Sequence, residues 1–158
     1  MKVAIIGATG KTGMKLVEKS LSMGYDVAAV CRDSSVAKLV EISKNRKLSI
    51  FSAPIISDVG MLNEALAACD GVVVIMMAAG KLKATELVSS LESAALRNGI
   101  KRFAFTAGEI TVVKEQNEQF TFRQKVMLAF AGAIMWLSPF SLTDMRKASL
   151  MIRMQDTL

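Results

Sequence analysis

Met1-Lys2-Val3-Ala4-Ile5-Ile6-Gly7-Ala8-Thr9-Gly10-Lys11-Thr12-Gly13 opens the chain, and the fold is decided here. Residues 3–6 form an apolar run closed by glycine, the pattern of a short strand buried on both faces. Across residues 11–23 the apolar Met14, Val17 and Leu21 recur at helical spacing, and Gly24 stands where a helix should stop. Gly7, Gly10 and Gly13 therefore occupy the corner between a strand and a helix. Glycines there permit a tight turn, bring main-chain N–H groups close to a diphosphate and let the helix pack on the strand. The positive end of the helix dipole faces the same anion. A triphosphate-binding loop competes, because Gly10-Lys11-Thr12 ends like one, but it requires glycine where Ile5 stands. A turn with no ligand is the other alternative.

The alternation continues outward from this corner. Residues 27–30 read as a strand, 36–44 as a helix with Val36, Leu39 and Val40 inward, and 48–51 as a third strand. Residues 61–69 read as a helix, 72–77 as a buried strand, 82–97 as a helix ended by Asn98-Gly99, and 103–106 as a fifth strand. Five such units predict an α/β fold: a doubly wound, Rossmann-like parallel sheet with helices on both faces. Ligands in such sheets bind at the carboxyl ends of the strands, which directs attention to the loops after Ile6, Val30, Met77 and Thr106.

The remainder breaks this rhythm. Residues 109–124 are polar, and 126–137 form an apolar run interrupted by Gly132. That run is shorter than the roughly 20 residues a bilayer demands, so a buried or interface helix is expected and no transmembrane segment, a membrane-surface segment being the alternative. Residues 143–154 resemble an amphipathic helix, with Thr143 or Asp144 suited to its N-cap. The expected organisation is one domain over residues 1–158, with 109–158 a divergent helical segment.

Composition narrows the chemistry. The chain has 158 residues, 52% hydrophobic and 22% charged, which suits one domain with a substantial core and excludes a disordered chain. Cys31 and Cys69 lie far apart and histidine is absent. Thiolate–imidazole zinc sites and every Ser–His or Cys–His nucleophile scheme are thereby removed, so no metal is expected. The first residues lack the longer apolar core and cleavage site of a signal peptide, which favours the cytoplasm. The net charge of +6 is scattered, with Lys44-Asn45-Arg46-Lys47 the one tight cluster, so nucleic acid is not an expected partner.

The end of the second strand carries Cys31-Arg32-Asp33. Dinucleotide sites place an acidic residue here for the ribose hydroxyls, or a basic one where a 2′-phosphate is present. Arg32 comes first and can fork onto a phosphate, whereas Asp33 reads as a helix-start residue with Ser34 and Ser35. NADP is therefore expected in preference to NAD, a solvated surface charge being the alternative for Arg32. Cys31 reads as a small hydrophobe, or as a redox-sensitive thiol beside a cofactor phosphate.

Together the opening segment, the Cys31-Arg32-Asp33 turn, Ser57-Asp58-Val59, residues 68–74 and Lys101-Arg102-Phe103 leading to Thr106-Ala107 resemble the atypical short-chain dehydrogenase/reductase family. The likeness is to its NAD(P)H-binding, NmrA-like domains, nearest the biliverdin/flavin reductase type. It runs through about the first 108 residues and persists more weakly from Asp144 onward. It implies that Gly7, Thr9, Gly10, Lys11, Thr12 and Gly13 hold the pyrophosphate and Arg32 the 2′-phosphate. Asp58 and Val59 would meet the adenine, Met77 and Ala78 the ribose on the nicotinamide side, and Thr106 and Ala107 the nicotinamide region, with Thr106 the catalytic candidate.

Two departures shape the functional expectation. The main short-chain dehydrogenases donate a proton from Tyr-x-x-x-Lys, and no tyrosine follows Tyr25. Hydride transfer to a flavin or quinone asks for positioning rather than for such an acid. Thr106, Lys125, Asp144 and Lys147 are the polar candidates, each with a structural alternative. Secondly, the family continues with another core strand and a substrate-covering region, while this sequence stops at Leu158. Either the chain is a truncated form, or the apolar residues 126–137 cover the gap, or a second copy does; an uncovered fifth strand would be an edge prone to pairing, so a homodimer or tight self-association is expected. The expected function is an NADPH-dependent oxidoreductase with a small-molecule electron acceptor. A non-catalytic NADP(H)-sensing module and a poorly folded remnant are the alternatives.

Overall fold

The apolar run at residues 3–6 becomes the middle strand of a five-stranded sheet. The computed structural model describes residues 1–75, 84–100 and 102–105. In chain order these form β1 (Lys2–Ile6), α1 (Lys11–Ser22), β2 (Asp26–Arg32), β3 (Leu48–Ala53), α2 (Val59–Leu66), β4 (Gly71–Val74), α3 (Ala84–Arg97) and β5 (Phe103–Phe105). The strand order is β3-β2-β1-β4-β5, and every pairing is parallel. Ile5 sits opposite Ala29 on one side and Val73 on the other. Ala4, Ile5 and Ile6 are wholly buried, as expected of a parallel strand covered on both faces.

Alternate residues divide between those faces. Val3, Ile5, Val27, Ala29 and Cys31 pack with Val17 of α1 and with Leu39, which lies between β2 and β3. Burying them supplies most of the drive to close this layer, about 25 cal/mol for each Å² of apolar surface removed from water. On the opposite face α2 packs against β2 and β3 and buries Leu62, Ala65 and Leu66. These elements belong to one compact unit, Met1–Met76 with Ser89–Thr106. A second unit comprises Met77–Val88 and Ala107–Leu158, of which residues 84–88 at the start of α3 are described. Ala84, Leu87 and Val88 there are buried.

Both predicted helix stops are present. After α1, Gly24 N donates to Leu21 O (2.9 Å) and Tyr25 N to Ser20 O (3.1 Å). After α3, Gly99 N donates to Leu96 O (3.3 Å) and Ile100 N to Ala95 O (3.0 Å). These paired bonds satisfy carbonyls that a helix end leaves open.

The α-helix expected over residues 36–44 is replaced by two 3-10 turns, Asp33–Leu39 and Ile42–Lys44. Val36, Leu39 and Ile42 follow one another at intervals of three, the period of a 3-10 helix, so the tighter winding keeps all three against the core. Val40, expected inward, is consequently 54% exposed. α2 begins two residues before the expected start at Met61 and ends at Leu66 instead of Cys69. Asp58 caps it by accepting from Met61 N (2.7 Å). Beyond it Ala68 takes a positive φ of 58° as the chain turns toward β4, where Asp70 N donates to Lys2 O (2.8 Å). The helix expected over residues 143–154, the apolar run at 126–137 and the rest of 109–158 lie outside the described residues.

Candidate functional site

The site is built from the carboxyl end of β1. The chain leaves Ile6 and turns at Gly7, whose φ of 85° is a conformation that side chains disfavour. Gly7 N and Ala8 N both donate to Val30 O, at 3.0 and 3.2 Å, which fixes the turn over the end of β2. Gly10 N donates back to Gly7 O (3.1 Å), and α1 takes up its ladder with Met14 N on Gly10 O (2.8 Å). Gly13 lies against the turn so closely that a Cβ there would stand 2.2 Å from Gly7 O. Strand, turn and helix are thus locked together where main chain meets main chain.

What this leaves open is the first turn of α1. Gly10 is its N-cap and provides no side-chain cap. The N–H groups of Lys11, Thr12 and Gly13 are donors that a helix start cannot satisfy internally. No acidic residue lies in this first turn, and Lys11 and Thr12 are exposed. Unsatisfied amides, a helix dipole and a lysine, in a turn without a carboxylate, suit an anion. The cradle is bare backbone, as a diphosphate requires.

The other strand ends converge on the same edge. Ile75 N donates to Ile6 O (2.9 Å), so the chain leaves β4 beside the glycine turn. This is the switch point, where β1 has its successors β2 and β4 on opposite sides. Arg32 ends β2 with an exposed side chain and extended backbone, two residues past the Val30 carbonyl that anchors the turn. Asp33 opens the first 3-10 turn, in the helix-start role expected of it. Asp58 and Val59, beyond β3, are both exposed, and Asp58 Oδ1 is engaged by Met61 N. The structure therefore brings Gly7, Thr9, Gly10, Lys11, Thr12, Gly13 and Arg32 to one end of the sheet. Met77, Ala78, Thr106 and Ala107, with Lys125, Asp144 and Lys147, lie outside the described residues.

Neither cysteine is poised for thiolate chemistry. Cys31 is 1% exposed, and burial, with Asp33 nearby, pushes its thiol pKa up. Burial also raises that of Cys69, Lys2 opposing and Asp70 adding to the effect, and its Sγ donates to Ala65 O (3.3 Å). Sequence reading missed two features. The Val30 carbonyl is an anchor without any side-chain signature. The cap by Asp58 was detectable from residue type, since aspartate directly before an apolar run is a preferred N-cap.

Fold and glycine corner together define a dinucleotide-binding α/β domain. The chain belongs to the NAD(P)H-binding family, whose sequence model matches residues 7–150. A dihydroflavonol 4-reductase of Hordeum vulgare is 43% identical over 75 residues, which cover 44% of this chain and 21% of that protein. Among solved structures, ChuY, an anaerobillin reductase of Escherichia coli O157:H7, superposes with a TM-score of 0.66 at 16% identity, over 95% of this chain and 66% of ChuY. NmrA, a negative transcriptional regulator, gives 0.58 at 17% identity, over 67% of this chain and 33% of NmrA. Yeast methylglyoxal/isovaleraldehyde reductase Gre2, solved with NADPH, gives 0.60 at 17% identity, over 72% and 39%. At these identities the shared feature is the fold. The chain spans about a fifth of its curated relative and a third to two-thirds of these three solved chains. Among the described residues no helix is long and apolar enough to cross a membrane.

Proposed function

We propose that the chain binds NADPH across the carboxyl ends of β1, β2 and β3 and serves, in the cytoplasm, as a reductase with a flavin, a quinone or a similar small acceptor. The observation that carries the proposal is the bare-backbone cradle at Gly7, Gly10 and Gly13, with Arg32 on the same edge. In this reading the amides of Lys11, Thr12 and Gly13 hold the diphosphate, with Thr9 beside them. Arg32 forks onto the 2′-phosphate. Asp58 and the first-turn N–H of Val59 offer the acceptor and donor that an adenine edge requires. Met77 and Ala78 meet the second ribose, and Thr106 and Ala107 flank the nicotinamide, Thr106 as the catalytic candidate. The bound cofactor supplies a hydride, and the chain supplies orientation and exclusion of water. The same reading includes self-association through β5, one of the two edge strands of the described sheet, where Phe103 is 45% exposed.

Titration of NADPH and NADH against the protein and its Arg32→Ala variant tests the cofactor assignment. Loss of a charge-assisted phosphate contact costs about 1.5–3 kcal/mol, so NADPH should bind roughly 10- to 150-fold more weakly while NADH hardly changes. Equal losses for both would defeat the assignment of Arg32. Added FMN, riboflavin or a quinone should accelerate NADPH oxidation. The likeness to NmrA, together with the lack of tyrosine after Tyr25, favours a second reading, an NADP(H)-sensing module without turnover. Tight cofactor binding with no oxidation by any of these acceptors would select it.

A further inference from the structure

Asn98 and Gly99 form the corner that ends α3, well away from the glycine cradle in chain and function. Of the four asparagines, Asn45, Asn63, Asn98 and Asn117, this one alone precedes glycine. Gly99 is exposed, with a φ of 66° and, among the described residues, open space where a Cβ would stand. Yet the reacting groups are tied down. Asn98 Nδ2 donates to Ala94 O (2.8 Å) and to Asn63 O in α2 (3.3 Å), while Gly99 N donates to Leu96 O (3.3 Å).

We infer that Asn98 is a self-modification site, a deamidation centre whose rate is set by fraying of the last turn of α3. When that turn opens, Gly99 N loses its carbonyl partner and becomes free to attack Asn98 Cγ. The new N–Cγ bond closes a succinimide as the Cγ–Nδ2 bond breaks, and the amide proton leaves with the side-chain nitrogen as ammonia. Water then adds across either carbonyl of the ring, giving aspartate or isoaspartate without any oxidant or further reactant. The product cannot return to the original corner. Its carboxylate has no N–H to offer Ala94 O and Asn63 O, and it sets negative charge against two acceptors. Nearby, Asn63 Oδ1 is itself a buried oxygen without a partner among the described residues, so the seam already holds an unsatisfied acceptor. Deamidation thus removes the side-chain tie between α2 and α3 irreversibly.

The test is ageing of the intact protein at mildly alkaline pH and 37 °C, followed by peptide mass spectrometry and enzymatic isoaspartate assay. The peptide bearing Asn98 should become roughly one dalton heavier while those bearing Asn45 and Asn63 do not. In urea the same conversion should run at least about tenfold faster, the ratio that a closed-to-open preference of about 1.4 kcal/mol imposes. The Asn98→Gln variant should lose the signal. Asn98→Asp, made directly, should lower the melting temperature relative to wild type, and aged wild type should fall with it. Absence of modification at Asn98 in both native protein and urea, or equal rates in the two, would overturn the inference. Should Asn98→Asp fail to fold, faster hydrogen exchange of the α3 amides in aged wild type serves the same purpose, and unchanged exchange counts against the structural consequence.

Discussion

Gly10 and Gly13, alike in the sequence, have different physical duties. Gly13 is held by space: a methyl group there meets Gly7 O at 2.2 Å, so Gly13→Ala must push α1 off the turn. The expected cost is about 1–3 kcal/mol, read as a lower urea midpoint. Gly10 has φ −73° and ψ 161°, an ordinary conformation, and its Cβ would stand 3.4 Å from Gly7 O. Gly10→Ala should therefore leave the urea midpoint nearly unchanged but weaken NADPH binding, because the methyl group intrudes where backbone meets phosphate. An equal stability loss in both variants would contradict this division. Cys31 makes a residue-scale prediction of another kind. Its folded-state pKa is raised, so its contribution to stability is complete below the ordinary thiol value and is lost as pH climbs through the raised one. The stability difference between wild type and Cys31→Ala, from urea titrations at successive alkaline pH values, should shrink as pH rises.

At the scale of elements, caps and spacing decide where each segment starts and stops. Asp58 shows this most directly, since its bond to Met61 N starts α2 ahead of the apolar periodicity. Asp58→Ala should cost about 1 kcal/mol, and Asp58→Asn should recover most of it, because asparagine caps as well as aspartate. Thermal melts check this, about 2–4 °C per kcal/mol being expected at this chain length. Failure of asparagine to rescue would mean that the carboxylate charge, rather than the cap geometry, holds α2. The stretch between β2 and β3 teaches the complementary lesson. Val36, Leu39, Val40 and Ile42 fit an α-helical reading, but Val36, Leu39 and Ile42 fit a three-residue repeat equally well. Packing against β2 and β3 chose the second and left Val40 outside.

For the molecule as a whole, the cofactor reading has a thermodynamic consequence. A ligand that binds the folded chain alone stabilises it by RT ln(1 + [L]/Kd), about 2.7 kcal/mol at one hundred times Kd. NADPH should raise the melting temperature in a saturable way, and the rise should be smaller for Arg32→Ala. A melt indifferent to NADPH would remove both the reductase and the sensor readings, since both require a bound dinucleotide. The two differ in turnover and in the need for an acceptor.

The strand alternation, the glycine corner and both helix stops were legible in the residues alone, because buried parallel strands, tight turns and helix ends each demand particular residue types. Arg32 and Asp33 were legible for the same reason, as charged groups at a strand end that the periodicity could locate. The order β3-β2-β1-β4-β5 agrees with the reversal that a doubly wound sheet requires, yet the register of each pair and the Val30 carbonyl that pins the turn carry no side-chain signal. Those features, like the 3-10 winding after β2, were decided by packing. Local spacing left two windings open at residues 36–44, and contact with the sheet chose the one that buries Leu39 completely.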